Sequence, residues 1–195
     1  MEFDSKVLAW LGSDEKGMGY YFYFLTLRYS ISPEALSRLR SVAYQLGREP
    51  DYWEQVISGS GFGWRTQLVG SYALLISNNY GYSLALMNGL RRFSFVSPQI
   101  AVILGILHPS DALSFFEEMI LSPNTKDDPK RTTAMYQILL KLGSTVATSF
   151  DLESFKSTPP SDYSESHWKM NCDVGTHVSA GHWDAWTQLM LEKRV

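Results

Sequence analysis

Helix-length apolar segments, each closed by glycine, proline or asparagine, follow one another from residue 32 to residue 143. The first, SPEALSRLRSVAYQLG, offers Ser32 as an N-cap and Pro33 for the first helical turn. Its apolar residues recur at helical spacing until Gly47, a residue type that commonly ends helices. The same pattern predicts further helices over about 51–58, 63–79, 81–93, 97–108, 111–121 and 129–142.

Capping and burial can be predicted for several of these helices. Asp51 and Glu54 have the spacing of a capping box, and Asp128 stands where an N-cap belongs. Ser110 or Asp111 is expected to cap the helix that follows Pro109. The apolar stripe of segment 81–93 is expected to consist of Leu84, Met87 and Leu90.

The two ends of the chain show weaker patterns. An aromatic run, YYFYFLTLRYSI, begins at Tyr20, and we expect a helix because no other segment offers a partner strand. After Gly143 the periodicity loosens, and residues 157–166 are rich in Pro and Ser, as in a loop. The last helix is expected at about 180–193, where Trp183 and Trp186 share a face.

The sum predicts an all-α fold of roughly eight or nine helices. A chain of 195 residues suits one domain, 1–195, with a regular core over 32–143 and a loop-rich part over 144–195. Consecutive helices with short connections fit a HEAT-like α-solenoid fragment. Because the repeat is inexact, an irregular orthogonal bundle remains an alternative.

Charge and composition exclude several classes of partner. The formal net charge is −3, and the basic pairs, Arg91-Arg92 and Lys130-Arg131, are short, so we expect no nucleic-acid partner. The longest strongly apolar run, residues 100–107, is far shorter than a membrane helix, so we expect no membrane partner. A single cysteine and the absence of a signal-peptide pattern favour a cytoplasmic protein.

Three of the four histidines and the single cysteine form a series with a spacing of five residues. A zinc site would need these side chains to converge in tetrahedral geometry, yet no Cys-x-x-Cys or His-Glu-x-x-His motif is present. On one helix, this spacing would rotate successive side chains by about 140°. We expect no cofactor or metal, and a small metal-dependent or cysteine-based enzyme remains the alternative. Its residues would be His167, Cys172, His177 and His182.

Two apolar segments carry a resemblance to a known group of proteins. WRTQLVGSYALL, residues 64–75, and FVSPQIAVILGILHP, residues 95–109, resemble a family of small bacterial helical proteins. Members occur beside polymorphic toxin genes and are usually regarded as immunity proteins. The resemblance implies a HEAT-like fold and a protein partner, the cognate toxin.

An inhibitor of a basic toxin would gain association rate from carboxylates and binding energy from aromatic side chains. We therefore expect stoichiometric binding without chemistry, through acidic and aromatic residues near loops. A third possibility is a helical scaffold subunit that forms homo-oligomers. The expected contact residues are Asp14, Glu15, Tyr80, Tyr82, Asp162, Tyr163 and Glu165.

Overall fold

The computed structural model describes residues 2–13, 15–17, 19–26, 33–46, 48–60, 63–92 and 94–192. These residues confirm the all-α prediction: they form helices and no strand, with one isolated antiparallel bridge between Ser13 and Gly19. The contacts divide the chain into two compact units, Met1–Val96 and Ser97–Val195. The division falls inside segment 32–143, for which the sequence predicted a regular helical core.

The first unit is built around one helix that is buried on all sides. Residues 66–75 of this helix, α5 (Trp64–Ser77), are buried. Four helices contact it: α1 (Glu2–Leu11), α2 (Tyr21–Thr26), α3 (Pro33–Leu46) and α4 (Pro50–Ser58). Gly70 lets α4 approach closely, because a Cβ there would collide with Val56. The remaining helix of this unit is α6, Ser83–Arg91.

In the second unit, the last helix, α12 (Glu165–Glu192), packs against α7 (Ser97–Leu107) and α9 (Pro129–Lys141). Its contact with α9 is close: the hydroxyl of Thr133 donates to the Cys172 carbonyl at 3.0 Å, and Gly175 lies against the Thr133 side chain. The other elements of this unit are α8 Pro109–Leu121, a 3-10 turn Pro123–Asp127, α10 Thr145–Ser149 and α11 Leu152–Ser157.

The helix predictions between residues 50 and 143 are confirmed, and so is the expected helix in the N-terminal aromatic run, over Tyr21–Thr26.

The predicted caps give a mixed result. Asp128 caps α9 by accepting a hydrogen bond from the Arg131 backbone N–H. Neither Ser110 nor Asp111 caps α8, because its N-cap is His108 and Pro109 already occupies the first turn. The predicted caps Ser32 and Gly47 lie outside the described residues.

Three further predictions are wrong. The final helix does not begin near 180: α12 starts at Glu165 and runs for 28 residues. Segment 144–195 is mostly helical rather than loop-rich, since α10 and α11 precede α12. Asp51 and Glu54 do not form a capping box, because the N-cap of α4 is Glu49 and no side chain caps that helix.

Candidate functional site

Helix α12 carries the whole His/Cys series and thereby separates its members. Each step of five residues advances about 7.5 Å along the axis and rotates by about 140°. His167 and His177 are exposed, whereas Cys172 and His182 are buried. Among the described residues, no group of three or more His, Cys, Asp or Glu side chains could hold a metal ion.

Cys172 lies in an apolar cluster of the second unit. Its side chain is fully buried with Phe155 and Trp168. Burial raises the pKa of the thiol to about 11, and the nearby Lys156 only partly opposes this effect. At neutral pH the sulfur therefore stays protonated, whereas nucleophilic attack requires the thiolate. The environment of Cys172 favours packing over catalysis.

The exposed histidines also have local roles. Nδ1 of His177 lies 2.7 Å from the backbone oxygen of Asp173, one turn earlier in the same helix. The His167 ring lies beside Tyr163, with ring centroids 6.0 Å apart. The geometry thus brings none of the series into a shared site.

The expected contact residues lie in both units. Asp14 lies outside the described residues, and Glu15 is exposed in the first unit. In the second unit, Asp162 and Glu165 are exposed at the start of α12. Tyr163 is half-buried because its ring packs edge-on against Trp168, at 5.4 Å between centroids.

Tyr80 and Tyr82 lie in the connection between α5 and α6. This connection begins at Asn78, whose left-handed backbone, φ 50°, ends α5. Tyr80 is 56% exposed. Tyr82 is the N-cap of α6, and its ring packs on Trp53 of α4 at 6.0 Å between centroids.

Two carboxylates lie close to Tyr82. Burial raises the pKa of its hydroxyl, and the negative charges of Glu54 and Asp51 raise it further. Both carboxylates are on α4, three residues apart and therefore on one face. An expected aromatic contact residue is thus adjacent to acidic side chains that sequence reasoning had placed in a capping box.

Helices α4 and α6 form the walls of a cleft. Trp53 lies beside Tyr82 near the start of α6, and Ile57 and Ser58 lie beside Gly89 near its end, so the two helices run in the same direction. The cleft has a volume of about 680 Å³. We call it the α4–α6 cleft; Asp51, Glu54 and Ser58 line one wall, and Asn88, Arg91 and Arg92 line the other.

A buried glutamine forms hydrogen bonds at the end of this cleft where α4 and α6 terminate. Gln67 of α5 is 3% exposed. Its Nε2 donates to the Ile57 carbonyl at 3.0 Å, and its Oε1 accepts from the Ser94 hydroxyl at 2.6 Å. Since the last carbonyls of a helix have no partner within it, Gln67 satisfies one for α4. The same side chain fixes the segment that follows α6.

The exposed apolar residue Leu84 belongs to the same region and corrects a prediction. We expected its side chain in the apolar stripe of α6, yet it is 60% exposed, one turn before Asn88 on the same face. Leu90 of that stripe is buried and Met87 half-buried, as predicted. Leu84, Asn88 and Arg91 recur at helical spacing, and Asn88 and Arg91 are polar. This spacing is the signal that could have identified the outer face of α6.

No protein-family model, curated protein or solved structure matches the chain. Over the described residues, none of the helices is both long and apolar enough to cross a membrane.

Proposed function

We propose that this protein is a binding protein of the immunity type, which neutralises a cognate bacterial toxin by stoichiometric association in the cytoplasm. The observation that carries the proposal is the exposure of Tyr80 and Leu84, which flank Tyr82 in the sequence, while the Tyr82 hydroxyl lies close to the carboxylates of Asp51 and Glu54. As part of the same proposal, the chain has the HEAT-like architecture of the family that it resembles.

The physical chemistry of interfaces supports this assignment. Tyr and Trp side chains are enriched at binding hot spots, burial of apolar surface adds binding energy, and adjacent charges steer association. Here Tyr80 and Leu84 provide the apolar area, and Asp51 and Glu54 provide negative charge within the same unit. The formal net charge of −3 favours a basic partner at long range.

A second candidate function, a scaffold subunit that forms homo-oligomers, is favoured by a different surface. Met170 and Val174 of α12 are 55% and 40% exposed and lie one turn apart. Together with Val178 they line a shallow, mostly apolar groove. Light scattering of the purified protein separates the two functions, since a strict monomer excludes the scaffold.

Co-expression with the product of the adjacent gene tests the leading proposal. The expected result is a neighbour that kills cells when expressed alone and that is silenced and bound by this protein in an equimolar complex. Replacing Tyr80 and Leu84 together by Ala is expected to abolish protection, while Leu191→Ala, another exposed leucine, preserves it. A harmless neighbour that does not co-purify contradicts the proposal.

A further inference from the structure

The α4–α6 cleft exposes charges of both signs that do not pair with one another. Asp51 and Glu54 stand on α4, and Arg92 is the C-cap of α6. In the part of the chain that the structure describes, none of these three side chains has an ion-pair partner. The charges are therefore available to a molecule that enters the cleft.

The two signs lie at opposite ends of the cleft. Asp51 and Glu54 are near Tyr82, at the start of α6, while Arg92 directly follows the last residue of that helix. Ser58, which lines the cleft, is close to Gly89 near this basic end. At 1.5 Å per residue, Glu54 and Asp51 precede Ser58 by about 6 and 10 Å along α4. The cleft is thus acidic at one end and basic at the other.

The architecture holds this separation in place. Gln67 ties the end of α4 to Ser94, two residues after Arg92. Gly89 permits the close approach of α6, because a Cβ there would lie 2.8 Å from the Ile57 carbonyl oxygen. The acidic end is fixed by the packing of Tyr82 on Trp53. The charges therefore belong to a preformed surface.

We infer that the α4–α6 cleft binds a segment of the partner that carries both signs of charge: a Lys or Arg for Asp51 and Glu54, and an Asp or Glu for Arg92. Arg92 lies three residues, or about 4.5 Å, beyond Gly89, which is level with Ser58, so the two groups of the segment are separated by about 10–15 Å, or two to three turns of a helix. This inference rests on the proposed function, because it assumes a protein partner.

A segment of a single sign would bind less well. A purely basic tail gains at Asp51 and Glu54 but meets repulsion from Arg92 at the other end. A purely acidic segment, or a nucleic-acid backbone, gains at Arg92 and meets repulsion from the two carboxylates. Charge complementarity along the cleft therefore selects the order of charges on the partner.

Fluorescent helical peptides test the inference without requiring the natural partner. Three Ala/Gln-based peptides of about four turns are compared: a mixed peptide, with an Arg pair and a Glu pair two turns apart, an all-Arg peptide and an all-Glu peptide. The mixed peptide is expected to bind best, by about two- to five-fold for each exposed charge pair. NMR shift changes should map to residues 51–60 and 82–92.

Charge-reversal variants locate the effect. Glu54→Lys should weaken binding of the mixed peptide by about two- to five-fold and strengthen binding of the all-Glu peptide. Arg92→Glu should also weaken binding of the mixed peptide, but it should strengthen binding of the all-Arg peptide. Glu54 is preferred to Asp51, which lies in the first turn of α4 and also stabilises that helix. Glu118→Lys and Arg38→Glu, at exposed positions outside the cleft, are the matched controls. Thermal unfolding confirms that each variant is folded.

The outcomes separate this inference from the proposed function. Equal binding of the three peptides, or shift changes that avoid α4 and α6, overturns the inference even if a toxin partner is found. Preference for the mixed peptide, lost in Glu54→Lys and retained in Glu118→Lys, supports it even if the adjacent gene encodes no toxin. In that case the proposed function fails and the cleft's selectivity stands.

Discussion

At the residue scale, the environment of Cys172 sets how its thiol responds to pH. Burial beside Phe155 and Trp168 raises the thiol pKa from 9.0 to about 11. In the unfolded chain the thiol ionises near its ordinary pKa, so the unfolded state loses its proton first as pH rises. The contribution of the neutral thiol is complete below pH 9 and declines between 9 and about 11.

We therefore predict that the unfolding free energy of the native protein falls more steeply over that range than the unfolding free energy of Cys172→Ala. At neutral pH the variant should be less stable by about 1 kcal/mol. Urea unfolding of the native protein and the variant at a series of pH values measures the two unfolding free energies. The contribution of titrating tyrosines and lysines cancels in the difference between them. A difference that is independent of pH would contradict the assignment, as would a native thiol that reacts with a disulfide reagent as fast as the unfolded chain.

Single residues also show which helix caps can be predicted from the sequence. Asp128 was predicted as an N-cap and is one, since its side chain reaches the Arg131 N–H without help from distant residues. Asp111 has the same residue type but follows Pro109, whereas Asp128 directly precedes Pro129, and α8 begins before Asp111, at Pro109. Because α7 ends at Leu107, the chain has room only for His108 between the two helices. The choice of cap there depends on how tightly two helices are joined.

At the element scale, α12 shows how tertiary packing overrides local preference. The last helix was predicted to begin near 180, yet α12 begins at Glu165 and includes Gly175 and Gly181, a residue type that weakens helices. Gly175 lies against α9, where a Cβ would overlap with the Thr133 hydroxyl and the Lys130 carbonyl. Gly181 has no neighbour within 4 Å of such a Cβ. A glycine required by a neighbouring helix and a glycine open to solvent look the same in sequence.

This difference predicts opposite effects of the same substitution within one helix. Gly175→Ala should destabilise the protein by about 1–3 kcal/mol, because the added methyl group separates α12 from α9. Gly181→Ala should stabilise it by up to about 1 kcal/mol, because alanine favours helix and meets only open space. Urea denaturation of the two variants and the native protein measures both changes. Equal effects of either sign would show that the α9–α12 contact is not close.

At the scale of the whole molecule, local pattern predicts helices better than it predicts surfaces. Tyr80 and Tyr82 were expected at a contact surface because they lie near a loop, and Tyr80 is exposed. Glu54 and Arg92 were not predicted as contact residues, since they are far apart in sequence and line the same cleft only because α4 and α6 run side by side. Residues brought together by long-range packing leave no periodic signal that a sequence reading could use.

Net charge is also a property of the whole molecule, and it should govern the rate of association with a basic partner. Asp162 and Glu165 are exposed, and replacing both by Ala changes the formal net charge from −3 to −1 by removing two negative charges. Because opposite charges steer encounter, we predict a slower association rate constant and a weaker dependence on salt, with a much smaller change in dissociation. Stopped-flow mixing with the adjacent-gene product at several salt concentrations measures these quantities.

The matched control removes two other exposed carboxylates of the second unit, Glu118 and Glu153, and changes the net charge equally. A larger effect at Asp162 and Glu165 would place the start of α12 near the partner. The same effect in both variants would mean that overall charge alone accelerates association. An unchanged salt dependence in both would contradict electrostatic steering, and the energy of binding would then have to come from apolar contacts such as those of Tyr80 and Leu84.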